Sequence, residues 1–299
     1  MAQMETQLEL NRSAVVINRR GLSYNLRRLW RTGDWYRYFF LSAIAFLMFL
    51  PFIVTFIISF KSLPQFNHNA FLPTFPLYPE NYLDAWTVVS KYILNSIIVS
   101  GVSVVLMVAL AALAAWAFAR YPFPGREIFF YLVIALLMIP GELTLIPAFL
   151  LVKTLGLLNT RWVLILPYVA GGQVFAIFIL RSFFQSMPEE MFEAARIDGA
   201  NEWQTFLRMG LPLSQSILGV VAIMHILSTW NDLVWPIVTL SNQSLMTLTI
   251  GLYAFRTAWY SIWGPLMAGY VIASIPLIIL FAFTSRLFVE GLSSGAIKM

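Results

Sequence analysis

Residues 186–208 read SMPEEMFEAARIDGANEWQTFLR, a polar stretch within a strongly apolar chain. Ser186 followed three residues later by Glu189 is a capping-box pattern, which marks the start of a helix. Gly199 is a natural helix terminator, and Asn201 can cap a helix that begins after it. The stretch therefore predicts a helix, a sharp turn at Gly199 and a second short helix.

The polar stretch stands out because the overall composition is that of a membrane protein. Of the 299 residues, 60% are hydrophobic and 11% are charged, and the mean hydropathy is +0.77. Soluble domains carry about 25% charged residues, so a soluble enzyme is nearly excluded. The net charge of +5 is dispersed along the chain, which argues against a nucleic-acid partner. Because there is no cysteine, disulfides, thiolate catalysis and zinc-thiolate sites are excluded.

Charged residues divide the chain into apolar segments long enough to cross a membrane, which takes about 20 residues per helix. These segments predict an all-α integral membrane protein with six transmembrane helices. The predicted spans lie near residues 38–60, 92–119, 128–152, 162–180, 214–240 and 263–285.

The distribution of lysine and arginine predicts the orientation of these spans. With the N-terminus inside, fourteen of the 19 basic residues fall in inside segments, which favours cytoplasmic termini. The first apolar run is long enough to span, so it does not read as a signal peptide. The expected organisation is a cytoplasmic, arginine-rich tail over 1–37, a six-span domain over 38–286 with a cytoplasmic loop over 181–211, and a cytoplasmic tail over 287–299.

The sequence does not suggest that the chain binds a cofactor of its own. It has no GxxxxGK[ST] loop, so it is not expected to hydrolyse a nucleotide by a P-loop mechanism. His68 and His225 are far apart and lack the spacing of a metal-binding pair, so no metal site is expected. The two halves show no obvious repeat of the kind found in many secondary transporters.

Two interpretations of the polar stretch remain open from its residues alone. It is either a simple connection between spans four and five or a docking element for a soluble partner. Its mixture of apolar side chains with charges of both signs suits a groove on such a partner.

The spacing in this stretch resembles the EAA signature of binding-protein-dependent ABC importer permeases. Glu193-Ala194-Ala195 is followed after three residues by Gly199 and, after nine more, by Met209 and then Leu211-Pro212. The signature has isoleucine where Met209 stands, which is a volume-tolerant difference. Further segments are similar to the carbohydrate-uptake branch, in particular to its maltose-permease type of six-span subunit: Asn95-Ser96, Ala119–Arg126, Met138–Glu142, Leu155–Thr160, Trp230–Asp232 and Gly291–Lys298.

The resemblance implies the MetI-like fold of such permeases and a role in importing a di- or oligosaccharide or a related glycoside. It implies a second homologous permease subunit, two cytoplasmic ATPase subunits that carry ATP and Mg, and an extracytoplasmic sugar-binding protein. The chain would then be a multi-pass protein among the lipids of a bacterial or archaeal plasma (inner) membrane, and not itself an enzyme. The family's element for coupling to the ATPase would correspond here to Glu193, Ala194, Ala195, Asp198, Gly199 and Ala200.

Two acidic residues, Glu142 and Asp232, lie within predicted spans. An ionised carboxylate at the centre of a span costs about 2.5–3.5 kcal/mol on insertion scales, so neither is expected to face lipid. Glu142 follows Pro140-Gly141, where a kink is expected, and is either a packed residue near the subunit interface or a gate of the pathway. Asp232 with Trp230 and Asn231 offers hydrogen bonds and a ring to a sugar, or else forms a buried polar cluster between helices.

Two outer segments are predicted to be loops. Residues 61–91 contain four prolines and several aromatic residues and are expected to be extended. Residues 241–262 precede the last span and, by the resemblance, reach toward the binding protein; their aromatic side chains would otherwise anchor the chain at the membrane interface. The residues expected to contact the binding protein are Gly251, Tyr253, Phe255 and Trp259.

The sequence thus favours one permease subunit of an ATP-driven sugar importer. A polyol-phosphate importer of the same branch is the first alternative. A secondary transporter acting alone would leave the large EAA-like loop unexplained, and a membrane scaffold or receptor subunit would not need polar residues inside the spans.

Overall fold

The structure is a computed structural model that describes residues 35–258 and 262–296, with side chains described for 35–256 and 262–284. Within those ranges every regular element is a helix, so the all-α prediction is confirmed. The helices, in chain order, are α1 Trp35–Ser59, α2 Leu63–His68, α3 Glu80–Arg120, α4 Arg126–Ala135, α5 Gly141–Thr154, α6 Trp162–Gln185, α7 Glu189–Ile197, α8 Glu202–Thr205, α9 Leu211–Leu213, α10 Gln215–Asn231, α11 Val234–Thr239, α12 Leu248–Ala258 and α13 Trp263–Ala296. Short 3-10 turns cover Leu136–Met138 and Gln243–Leu245, and a π-helical segment, Phe206–Gly210, joins α8 to α9.

Four of the described helices are long and apolar enough to cross a membrane unbroken: α1, α3, α6 and the Trp263–Thr284 part of α13. Two further candidates are bent pairs, Arg126–Met138 with Gly141–Thr154 at 101° and Glu202–Leu213 with Gln215–Asn231 at 73°. Counting each bent pair as one crossing gives the six predicted spans.

The break in the third predicted span lies where the kink was expected. Pro140 precedes α5, and Ile139 has the extended backbone that a residue before proline prefers. The 3-10 turn before Ile139 also ends the hydrogen-bonded ladder of α4. The apolar segment 128–152 is therefore two helices rather than one continuous helix.

Several predicted boundaries are wrong because polarity marks the edge of a membrane rather than the end of a helix. α3 begins at Glu80, not near 92, and α13 continues beyond 285 to Ala296. The fifth predicted span, 214–240, is not one helix, since α10 begins after a bend at Ser214 and ends at Asn231.

The described residues before position 58 belong to α1, and most of their side chains are exposed and apolar. In the unit formed by residues from 58 onward, α3 and α6 make the most extensive helix pair. Ala111 and Ala115 of α3 and Ala176 of α6 are completely buried there. Such small side chains let two helix backbones approach closely, which is how helices associate in membranes.

The outer segment 61–79 is not the extended loop that was predicted. It contains the short helix α2, and the buried ammonium of Lys61 donates hydrogen bonds to the carbonyl groups of Asn69, Ala70 and Leu72. Three accepting carbonyls use all three donors of a lysine, so this buried cation is satisfied without a carboxylate. The chain is folded back on Lys61 in a compact turn.

Gly251 of α12 provides a test of how closely α12 packs on α3. A methyl group at Gly251 would overlap the Tyr92 ring, whereas one at Gly171 of α6 would meet open space. We expect Gly251→Ala to lower the stability of the purified protein in detergent by about 1–3 kcal/mol through overpacking. Gly171→Ala should be neutral or slightly stabilising, by up to about 1 kcal/mol. Thermal unfolding measures both, and equal melting temperatures for the two variants would contradict this packing.

Candidate functional site

The helix-turn-helix segment, residues 189–205, is held to the rest of the chain by aromatic packing on Trp116. The ring of Phe192 in α7 lies 5.6 Å from the Trp116 ring, and that of Phe206, just after α8, lies 5.5 Å from it. Both phenylalanine side chains are buried. Gly210 passes so close that an added methyl group would lie 2.7 Å from the Trp116 ring. One tryptophan of α3 therefore anchors both arms of the segment.

Arg120, one turn after Trp116, adds a polar anchor. Its guanidinium donates hydrogen bonds to the Glu189 carboxylate, to the carbonyl group of Phe184 in the last turn of α6 and to that of Met187 in the link to α7. It also lies 4.0 Å above the centre of the Phe192 ring. The last carbonyls of a helix have no partner within the helix, so Arg120 satisfies the end of α6 while it fixes the start of α7.

The reversal between α7 and α8 has the geometry of a Schellman motif. The Ala200 amide donates to the Ala195 carbonyl at 2.9 Å, and the Gly199 amide donates to the Arg196 carbonyl at 3.0 Å. Gly199 has a φ of +83°, which only glycine adopts without strain. Asn201 then caps α8. The predicted helix, sharp turn and second helix are confirmed.

The predicted capping box at Ser186 is wrong. The Ser186 hydroxyl donates to the Phe183 carbonyl in the last turn of α6, and α7 begins after Pro188 without a side-chain cap. The hydroxyl is engaged by the preceding helix, so it does not serve the next one. The acidic first turn of α7 is instead held from outside by Arg120.

A second arginine links the two arms of the segment. Arg196 contacts the Glu189 carboxylate at 3.2 Å and the Glu202 carboxylate at 3.3 Å. Glu202, with a further contribution from Glu189, raises the pKa of Arg196. These ion pairs are solvent-exposed and contribute little stability, so the turn geometry and Trp116 carry the fold of the segment.

The predicted coupling residues lie together on this one segment. Glu193, Ala194, Asp198 and Gly199 are exposed, while Ala195 and Ala200 are half-buried. Ile197 beside them is 86% exposed, and Met191 and Trp203 are also exposed. Glu193 forms no ion pair with any residue that the structure describes. An exposed apolar cluster with an unpaired charge is typical of a protein-docking surface.

Glu142 and Asp232, 90 residues apart in sequence, line one cavity of about 490 Å³ between α5, α6 and the start of α11. The Tyr168 hydroxyl donates to one oxygen of Asp232 at 2.8 Å, and the Val234 amide donates to the other at 3.1 Å. Asp232 therefore joins α6 to α11 and caps α11. Glu142 is exposed in the first turn of α5.

The predicted triplet of Trp230, Asn231 and Asp232 does not line a single cavity. Trp230 and Asn231 line one cavity, and Asp232 lines another. Trp230 is buried, and the amide nitrogen of Asn231 donates to the Leu227 carbonyl. His225 is also buried, and its imidazole lies against Gly172 of α6.

The outer segment before the last span is a helix, α12, and not the predicted loop. The side chain of Phe255 is buried, and Gly251 packs against Tyr92, so the expectation of exposed residues is wrong for these two positions. Tyr253 is 48% exposed. Trp259 lies outside the described residues. A helix with one buried face replaces the loop because Leu248, Gly251 and Phe255 follow a helical period.

Sequence reasoning missed the residues that hold the two sites in place. No anchoring role is predicted from the sequence for Trp116, Arg120 or Tyr168. A spacing of four between Trp116 and Arg120 puts them on one helix face, which was an available signal. No local pattern pairs Tyr168 with Asp232, because their contact joins distant parts of the chain.

Comparisons with known proteins agree with this geometry. Residues 107–294 match the family described as "Binding-protein-dependent transport system inner membrane component". The chain is 36% identical to the probable ABC transporter permease protein YurM of Bacillus subtilis (strain 168), over 91% of each chain. It is 35% identical to the diacetylchitobiose uptake system permease protein NgcG of Streptomyces coelicolor, over 84% of this chain and 85% of that one.

A solved structure shows the same fold. One chain of a bacterial ABC transporter involved in the import of the acidic polysaccharide alginate superposes with a TM-score of 0.75. The match covers 86% of this chain and 96% of that chain at 22% sequence identity. The helical arrangement described above is thus the fold of an ABC importer permease.

Replacing Arg120 tests whether it anchors the helix-turn-helix segment. We expect Arg120→Met to accelerate amide hydrogen exchange across residues 186–208 at least about tenfold, because hydrogen bonds to a charged group contribute about 1.5–3 kcal/mol each. Arg126→Met is the control, since among the described residues the Arg126 side chain forms its hydrogen bond and ion pair with the neighbouring Glu127 and not with the helix-turn-helix segment. Unchanged exchange in Arg120→Met, or equal acceleration in both variants, would show that Arg120 is not the anchor.

Proposed function

We propose, from the premise that the chain belongs to the family of binding-protein-dependent transport system inner membrane components, that it is one of two permease subunits of an ATP-driven sugar importer. The substrate is a di- or oligosaccharide or a related glycoside, delivered by an extracytoplasmic binding protein. The name of the Streptomyces relative, a diacetylchitobiose uptake permease, supports this class of substrate. The subunit spans the plasma membrane of a bacterium or archaeon with both termini inside.

The observation that carries this proposal is the anchored helix-turn-helix segment with its exposed EAA-like surface. The sequence has no P-loop, so the energy for transport reaches the subunit by contact with separate ATPase subunits that bind ATP and Mg. Residues 189–205 offer Glu193, Ala194 and Ile197 to such a partner. Trp116 and Arg120 transmit movement of the segment to α3.

The proposed organisation keeps the boundaries drawn from the sequence. The tail 1–37 and the tail 287–299 are cytoplasmic, and the six-span domain covers 38–286 with its coupling loop at 181–211. The cavity containing Glu142 and Asp232 borders the translocation pathway. Its carboxylates and the Tyr168 hydroxyl suit the hydroxyl groups of a sugar.

The coupling role is tested by Gly199→Val and Glu193→Lys. A β-branched residue at a positive φ is strained by about 1–2 kcal/mol or more, and a reversed charge at a desolvated contact leaves its partner unpaired. We expect both variants to abolish sugar uptake and to reduce copurification of the ATPase, with normal amounts of the permease in the membrane.

Gly156→Val is the matched control for this test. Gly156 also has a positive φ, +68°, and open space around it, but it lies in the turn after α5 rather than in the coupling segment. Gly156→Val should retain ATPase copurification. Normal uptake and normal copurification in either Gly199→Val or Glu193→Lys would refute the coupling assignment.

The pathway role of Asp232 is tested by Asp232→Ala. This change removes the acceptor of the Tyr168 hydroxyl and the cap of α11, so we expect uptake to fall at least about tenfold while the subunits still assemble. Asp84→Ala, an exposed position on α3, is the control and should transport normally. Uptake by intact cells and copurification of the subunits are the measurements. Normal uptake in Asp232→Ala would remove this residue from the pathway.

A further inference from the structure

We propose that a second cavity, at the outer end of α10, is a receiving subsite for one pyranose ring of the transported sugar. This inference rests on the proposed function. The cavity has a volume of about 350 Å³ and lies between the end of α10, the helix α12 and one face of α13. Its volume falls in the range of small-ligand sites. The residues that carry the argument are Trp230, Asn231, Tyr253, Arg256, Tyr270 and Ser274.

Two sets of residues that the sequence placed in different roles meet in this cavity. The sequence assigns Trp230 and Asn231 either to the sugar pathway or to a buried polar cluster, and it assigns Tyr253 to contact with the binding protein. They line one cavity because the chain reverses at the 3-10 turn Gln243–Leu245, after α11. This reversal places α12 beside the end of α10. A sugar released by a binding protein on the outer side would reach α12 before the inner parts of the spans.

The polar residues that line the cavity come from one face of α12 and one face of α13. Tyr253 and Arg256 are three residues apart on α12, and Tyr270 and Ser274 are four apart on α13, so each pair shares one face of its helix. The opposite face of α12 carries the buried Phe255. Polar groups on spanning helices mark aqueous pathways or protein contacts rather than lipid, because an unsatisfied polar group in hydrocarbon is costly.

Several polar groups that line the cavity are not used in hydrogen bonds to other described residues. The Arg256 guanidinium and the hydroxyls of Tyr253 and Tyr270 form no hydrogen bond or ion pair with residues that the structure describes. Asn231 uses its amide nitrogen on the Leu227 carbonyl, and its side-chain oxygen accepts no described hydrogen bond. Planar donors and an amide oxygen beside aromatic side chains are the groups that recognise the hydroxyls and the apolar face of a sugar ring.

The walls of the cavity are fixed in place without a ligand. The Thr249 hydroxyl donates to the Trp230 carbonyl at 2.6 Å, which ties the start of α12 to the end of α10. Gly251 sits against Tyr92 of α3, and Phe255 sits against Gly269 of α13. Binding groups on such fixed elements are preorganised, which lowers the cost of ordering them around a ligand.

Among the described residues that line the cavity, the one that is charged is Arg256, and it is exposed to solvent. Its guanidinium carries several N–H donors in a planar fork, and such donors suit the hydroxyl groups of a sugar ring.

The test uses the complete importer reconstituted in liposomes with its binding protein at saturating concentration. Three disaccharides, maltose, cellobiose and diacetylchitobiose, are offered separately. The variants are Arg256→Gln and Tyr270→Phe, and the control is Lys153→Gln, an exposed position at the end of α5. Transport and stimulation of the ATPase are measured on the same preparation.

We expect both variants to transport the disaccharide at least fivefold more slowly, with unchanged stimulation of the ATPase by the sugar-loaded binding protein and with normal transport in the control. A subsite for sugar affects transport alone, whereas a surface for docking the binding protein affects ATPase stimulation as well. A parallel fall in both quantities, or wild-type transport in both variants, would overturn the subsite. If the wild-type importer moves none of the sugars, the proposed function fails and the subsite with it.

Discussion

The burial of Arg120 between α3, α6 and α7 is the contact on which the inner half of the molecule depends. A guanidinium buried at this depth requires several acceptors, and it receives two backbone carbonyls and the Glu189 carboxylate. A lysine would offer one compact charge instead of a planar fork and could not lie flat over Phe192 while reaching all three. Because these acceptors belong to the end of α6, the link that follows it and the start of α7, the direction in which the chain leaves α6 is set by a residue of α3.

The same helix also determines the position of the outer elements. At 1.5 Å per residue, the 41 residues of α3 extend over roughly 60 Å. Towards its outer part, the amide group of Asn95 donates to the carbonyls of Ser244 and Met246, and the Ser96 hydroxyl accepts the Leu248 amide. α3 therefore contacts both the start of α12 and the helix-turn-helix segment. A continuous helix held at both ends physically connects α12 to the helix-turn-helix segment.

The local parts of this design were predictable from sequence, and the long-range parts were not. Gly199 predicts a turn and Asn201 predicts a helix cap, because the conformational preference of glycine and the capping preference of asparagine act within a few residues. Pro140 likewise predicts its break. The burial of Gly251 depends instead on Tyr92, some 160 residues earlier, and the partner of Asp232 is Tyr168. Such pairings follow from helix packing, which composition and periodicity along one segment do not encode.

Asp232 illustrates how one side chain stabilises a helix break inside an apolar segment. A helix that stops inside an apolar span exposes backbone amides that lipid cannot satisfy. One oxygen of Asp232 accepts the Val234 amide and so caps the new helix α11, while the other accepts the Tyr168 hydroxyl. The Val234 amide at the break between α10 and α11 thus finds its acceptor within the chain. Residues at this break line both the cavity of Glu142 and Asp232 and the cavity of Trp230 and Asn231. A continuous helix through residues 231–234 would have been simpler to fold, but it would have offered no polar backbone break between those two cavities.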